Sequence, residues 1–298
     1  MPRIPVGEWV DSLIQFLLDH LGGVFDGVAS FVTSVVNGVY WVLHTPPYGV
    51  VIVVFAVLAW VATRRWQLVL FTVAAFLLVV SMQLWTAAMQ TLTVVLIAAG
   101  AAVLIGVPLG VWAARSARTG AIVRPVLDFM QTLPVFVYLI PSVFFFGIGV
   151  VPGTVSTTVF AIPPAVRLTE LGIRQVDREI VEAAHAFGSK PSQILRQVQL
   201  PLALPSIMAG VNQVIMLALS MVVIAGMVGA GGLGEIVVRG VTQLDIGAGF
   251  EGGLSVVILA IYLDRVTGGF GSGTFRALRL RRTRPAPGQA PAEPALAA

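Results

Sequence analysis

The chain has 298 residues, of which 57% are hydrophobic and only 11% charged. A soluble domain carries about a quarter charged residues, so this composition excludes a water-covered globule and points to lipid as the solvent. No cysteine is present, which excludes disulfides and thiolate metal sites, and the net charge of +4 matters less than where the charges lie.

In lipid each crossing segment must satisfy its own backbone, as a helix of about 20 apolar residues. The first residues, MPRIPVGEWVDSLIQF, lack the basic flank, short apolar core and cleavage site of a signal peptide. Insertion through the first span is therefore expected. Within residues 6–40, Trp9, Val10, Leu13, Ile14, Leu17 and Leu21 recur at helical spacing opposite Glu8, Asp11, Ser12, Gln15 and Asp19. Surface helices drawn to anionic lipid are basic, whereas this polar face is acidic. Region 1–45 is expected on the outer side, resting on that face or packed against the bundle.

Seven spans follow: Tyr48 to Thr63, Gln67 to Met82, Leu92 to Ala114, Val126 to Val150, Thr154 to Val166, Ile207 to Val228, and Leu254 to Tyr262 with flanks. The first two form a unit at 46–85 and the other five a core at 86–270. Arginine placement orients them. With the N-terminus outside, Arg64, Arg65, Arg115, Arg118, Arg124, Arg167, Arg174, Arg178, Lys190, Arg196, Arg265 and the tail arginines fall inside, while only Arg3 and Arg239 fall outside. That bias follows the positive-inside rule, so the C-terminus is expected inside. The tail, 271–298, is basic and then Pro/Ala-rich, a composition expected to be disordered.

Between spans five and six, residues 167–205 form an inner element too small for a domain. VDREIVEAAHAF reads as a short helix capped by Asp177, with Ile180, Ala183, Ala184 and Phe187 on one face and Arg178, Glu179, Glu182 and His185 on the other. Gly188 ends it. Ser189 is expected to cap a second short helix with Pro191 in its first turn, and Leu200-Pro201 and Leu204-Pro205 return the chain to the membrane. Small alanines on an exposed surface allow close approach to a partner's groove.

EAAHAFG followed by QLPLALP resembles the EAA loop of permease subunits of binding-protein-dependent ABC importers, with Glu182, Ala183, Ala184, Gly188 and Pro201 on the pattern and Arg178 beside it. DFMQTLPVFVYLIPSVFFFGIGVVPG, RLTELGIRQV, PSIMAGVNQVIMLALSMVVIAGMVGAGGLG and VILAIYLDR are similar to the glycine betaine/proline branch of that family, so the likeness covers most of residues 1–270. His185 departs from the arginine or serine common there. The resemblance implies an all-α, multi-pass protein of a bacterial cell membrane, with about seven helices and a five-helix permease core. It also implies a coupling loop seated on a cytoplasmic ABC ATPase, an extracytoplasmic substrate-binding protein as receptor, and a permease homodimer.

The chain's single lysine, Lys190, lies outside any GxxxxGK[ST] frame. ATP and Mg are therefore expected on a partner ATPase, with no cofactor on this chain and no nucleic-acid partner. Gln131, Thr132 and Pro134 in span four, with Asn212 and Ser220 in span six, are candidates for the translocation path or for helix–helix hydrogen bonds. GAGGLGE, residues 229–235, follows no strand and so lacks the context of a dinucleotide loop. It reads as an outer turn, with Glu235, Arg239 and Asp245 as candidate receptor contacts. The aromatic residues of span four read as packing rather than a cation cage. The expected solutes are glycine betaine, proline or related quaternary amines, with choline and carnitine as alternatives. An intramembrane enzyme would need a catalytic pair at membrane depth, and a passive channel would have no use for the coupling loop.

Overall fold

The computed structural model describes residues 5–282, and every regular element among them is helical. In chain order these are α1 (Val6–His44), α2 (Tyr48–Thr63), α3 (Trp66–Ser81), α4 (Trp85–Arg115), α5 (Ala117–Thr132), α6 (Val135–Phe146) and α7 (Val150–Arg174). They continue with α8 (Arg178–Ala186), α9 (Pro191–Ile194), a π turn (Leu195–Gln199), α10 (Leu200–Ala225), a 3-10 turn (Gly226–Val228), α11 (Gly232–Thr242) and α12 (Ile246–Arg282). The Pro/Ala-rich stretch of the tail lies outside the described residues, whereas the basic residues Arg276 to Arg282 continue α12.

Helices occupy all seven expected spans, but their shapes differ from the expectation. Among the described residues, α1, α4, the continuous run Pro191–Val228 and α12 are long and apolar enough to cross a membrane, and α5 with α6 makes a fifth as a broken pair. At 16 residues, α2 and α3 are each about 24 Å long, short of a hydrocarbon core of about 30 Å. The stretch read as one span from Val126 to Val150 is bent by 98° between α5 and α6. Pro134 disfavours helical backbone at Leu133, which is extended at φ −67°, ψ 134°. It also cannot donate to the carbonyl of Met130, four residues back. The Tyr138 hydroxyl donates to that carbonyl instead.

Close packing of α4, α7 and α10 rests on glycines. A Cβ on Gly106 would lie 2.5 Å from Ala165 Cβ, and one on Gly110 would lie 2.6 Å from both Thr169 Cβ and the Val166 carbonyl. On the other side of α7, Gly172 meets Ser206 and Ala203, while Gly153 meets Ala225 and Ala230. Small residues let backbones approach where lipid supplies no hydrophobic drive between helices. These pairings make α4 and α7 parallel and α10 antiparallel to both. Phe55, Phe76 and Tyr262, with ring centroids 5.0–5.4 Å apart, hold the α2–α3 hairpin against α12.

The same pairings gather Arg64, Arg65, Arg115, Arg174 and Arg265 at one end of the bundle, the basic end. Gly147, Gly149 and the turn 229–232 lie at the other, the glycine end. Helix α1 touches the bundle at that glycine end. Phe25 stacks on Phe145 at 4.4 Å, Val36 and Tyr40 face Gln90, Val94, Val150 and Ala230, and His44 Nε2 lies 3.4 Å from Thr86 Oγ1. By length and composition α1 could cross a membrane; the contacts named here all fall at the glycine end.

Candidate coupling site and polar residues

Asp177 stands outside helical geometry and its Oδ1 accepts from the Glu179 N–H at 3.0 Å, which starts α8. At the far end Gly188 takes φ +77°. There the Ser189 N–H donates to the Ala184 carbonyl at 3.1 Å and the Gly188 N–H to the His185 carbonyl at 2.9 Å. This closing pattern needs a left-handed residue, which glycine adopts without a Cβ clash.

The second short helix begins one residue later than expected. Lys190, not Ser189, is its N-cap, and the Lys190 N–H donates to Gln193 Oε1 at 2.9 Å. Pro201 lies in the first turn of α10. The Leu200 N–H reaches back five residues to the Leu195 carbonyl, and this wide turn passes directly into α10. A widened turn accommodates the Pro201 ring, which would press on the carbonyl four residues back.

No residue of α8 is buried. Ile180, Val181 and Ala184 are half-buried toward the bundle, while Glu182, Ala183, His185, Ala186 and Phe187 are exposed. Phe187, grouped by periodicity on one face with Ile180, Ala183 and Ala184, is 89% exposed. Arg178 and Glu182 line a recess of about 190 Å³ with Ile173, Arg174 and Gln199, so their side chains border the root of α8.

That root is fixed by a residue the sequence reading passed over. Glu170 Oε1 receives Arg124 Nη2 at 2.7 Å and lies 3.0 Å from Arg174 Nε, and the Glu170 side chain is only 6% exposed. Arg174 Nη2 also donates to the Ala113 carbonyl at 2.9 Å. One carboxylate thus joins α5 and α7, and Arg174 extends the tie to α4, directly before the chain turns into α8. The i, i+4 spacing of Glu170 and Arg174 was a readable signal; the partnership with Arg124 was not.

The candidate path residues fall into two groups. Gln131, Thr132, Pro134 and Ser220 are exposed on the single chain, with the Thr132 and Ser220 hydroxyls donating to carbonyls of their own helices. Asn212 faces α12 instead. Its Nδ2 donates to Asp264 Oδ1 at 2.6 Å, and its Oδ1 accepts from Thr267 at 2.9 Å. At the glycine end Glu235 and Arg239 pair at 2.6 Å, and Asp245 Oδ1 accepts from the Ala248 N–H at 3.0 Å. The turn before α11 is pinned by α4, because Gln90 Oε1 accepts from the Gly232 N–H at 3.0 Å and Thr91 Oγ1 from the Leu233 N–H at 2.8 Å.

The chain resembles known proteins over most of its length. The glycine betaine transport system permease protein OpuAB of Bacillus subtilis is 48% identical over 267 residues, covering 90% of this chain and 94% of that protein. The glycine betaine/proline betaine transport system permease protein ProW of Escherichia coli is 50% identical over 264 residues, 89% of this chain and 74% of that one. Among solved structures, a chain of the MetNI methionine ABC transporter in an inward-facing conformation is 26% identical. It matches with a TM-score of 0.54 over 65% of this chain and 95% of its own. Residues 106–270, from the glycine seam of α4 to the end of the Asp264–Asn212 contact on α12, match a single family. The chain belongs to the binding-protein-dependent transport system inner membrane components.

Proposed function

We propose that the chain is the membrane-spanning permease of an ATP-driven importer for compatible solutes, with glycine betaine and proline or proline betaine as the first solutes to test. The protruding α8 carries this reading. A nine-residue helix with no buried residue, tied at its root by Glu170 to three long helices, has the form of a part made to be held by another protein. That protein is a separate cytoplasmic ABC ATPase, which supplies the ATP and Mg chemistry, and Glu182, Ala183, Ala184, Gly188 and Phe187 present the surface it grips. The bundle has seven crossings, α2, α3, α4, the broken α5–α6, α7, α10 and α12, with the basic end in the cytoplasm and α1 on the outer face. Two copies pair so that each ATPase has one α8. Gln131, Thr132, Pro134 and Ser220 then border the path, while Glu235, Arg239 and Asp245 face the substrate-binding protein.

The test is uptake of radiolabelled glycine betaine by the reconstituted permease, ATPase and receptor, with proline betaine, choline, carnitine and proline as competitors. Phe187→Ala removes an exposed ring from a docking surface, where truncation of a central aromatic costs about 2 kcal/mol or ~30-fold in affinity. Its expected signature is an unchanged thermal midpoint with ATP-driven uptake lost at limiting ATPase. Uptake that persists after deletion of residues 178–188 would identify a passive pore. Competition by none of these solutes would overturn the solute class and leave the permease reading intact.

A further inference from the structure

A groove of about 670 Å³ lies between the start of α3 and α12 at the basic end. Its walls change character with depth. Arg65 and Arg265 stand at the rim, while Leu68, Phe71 and Ile261 line the part nearer the bundle's middle. Phe71 lies six residues along α3 from Arg65, which is about 9 Å; Ile261 lies one helical turn before Arg265. Arg65 sits in extended backbone as the N-cap of α3, where the free N–H groups of the first turn add positive potential. No carboxylate lies within ion-pair distance of Arg65 among the described residues. The third charge of the groove is Asp264, whose Oδ1 is taken by Asn212 at 2.6 Å and whose Oδ2 lies 3.8 Å from Arg265 Nε. Two guanidiniums against one carboxylate leave the lining at +1.

We infer that this groove binds an anionic phospholipid, with its phosphodiester between Arg65 and Arg265 and the start of an acyl chain along Leu68, Phe71 and Ile261. A single net positive charge matches a phosphodiester's single negative one. Cationic recesses between helices at the membrane surface hold anionic headgroups, and the apolar lower wall selects a ligand with a tail over a free anion. On the proposed orientation the groove opens at the basic, cytoplasmic end of the bundle, beside the leaflet that carries anionic headgroups.

The full-length permease, purified in detergent, is titrated by native mass spectrometry with phosphatidylglycerol, with phosphatidylcholine of the same chains, and with inorganic phosphate. One phosphatidylglycerol per chain is expected at this site. Arg65→Gln with Arg265→Gln should weaken it ~25-fold, at about fivefold per arginine, while Arg118→Gln, an exposed arginine elsewhere at the basic end, leaves it unchanged. A photoreactive phosphatidylglycerol on the unaltered chain should label residues 65–71 and 261–269, which keeps the test decisive if the double variant does not fold. Equal binding of phosphatidylcholine, displacement by inorganic phosphate alone, or labelling confined to other segments would each overturn the assignment.

Discussion

The Glu170 junction allows a prediction in which the order of effects, rather than one value, is decisive. Glu170→Gln removes the anion but leaves two guanidiniums whose side chains are 53% and 39% exposed. Water takes over their solvation, so the loss is that of partly screened charge-assisted hydrogen bonds, about 1–2 kcal/mol. Replacing both Arg124 and Arg174 by Met is worse, because a carboxylate with 6% exposure is left without a cation. Stranding a buried carboxylate is the costlier direction in which to break such a pair. Adding Glu170→Gln to the arginine double removes the stranded charge and should recover roughly 2 kcal/mol. In thermal unfolding of the purified chain, about 2–4 °C per kcal/mol, the ranking from most to least stable is unaltered chain, Glu170→Gln, triple, arginine double. A triple variant less stable than the arginine double would refute the claim that Glu170 is a buried charge held by its two partners.

Two further outcomes follow from backbone contacts. Thr91→Val keeps the side-chain shape but leaves the buried Leu233 N–H without its acceptor, which should lower stability by about 1–3 kcal/mol and raise amide exchange at Leu233. Gly110→Val places new atoms where even a Cβ would sit 2.6 Å from Thr169 and Val166, so the folded yield in detergent should collapse, whereas Gly100→Ala, which meets nothing within 4 Å, should leave it unchanged.

Much of this fold was legible because lipid removes most alternatives: long apolar runs have to be helices. The cap of α8 was legible for the same kind of local reason, since Asp177 and Gly188 are the residue types their backbone positions demand. What escaped the sequence depended on partners far away along the chain. Hydropathy alone gave span four a single run, because Tyr138 and the bend at Pro134 contribute no less apolar character than a straight helix would. GVPLG, residues 106–110, carries two glycines four apart, a spacing that marks close helix contact, and its partners Ala165 and Thr169 have the same spacing on α7. Helical periodicity put Phe187 on one face with Ile180, Ala183 and Ala184 without saying what covers it, and the structure divides that face: Ile180 and Ala184 are half-buried, Ala183 and Phe187 exposed. Asn212 could have lined a path or joined two helices; its bonds to Asp264 and Thr267 place it in the second role in this conformation.

Side-chain size divides the bundle into two kinds of contact. Between α4, α7 and α10, glycine and alanine bring backbones together, and such contacts have no slack because no flexible atoms lie between them. Between α5–α6 and that trio, an apolar contact of Tyr138, Leu139 and Met221 and the Ser156 hydroxyl on the Tyr138 carbonyl at 3.2 Å stand beside two long ionic ties, Arg124 to Glu170 and Asp128 to Arg167. Rotamer changes let ties of that kind lengthen or exchange partners while the helices themselves stay intact. Because α8 is joined to α7 by residues 175–177 and to α10 through residues 187–190, α9 and the π turn, a force applied to α8 would reach the trio at two of its three helices. The trio would then move as one body, and the displacement would appear where the contacts are compliant, along α5–α6 and its bend at Leu133-Pro134.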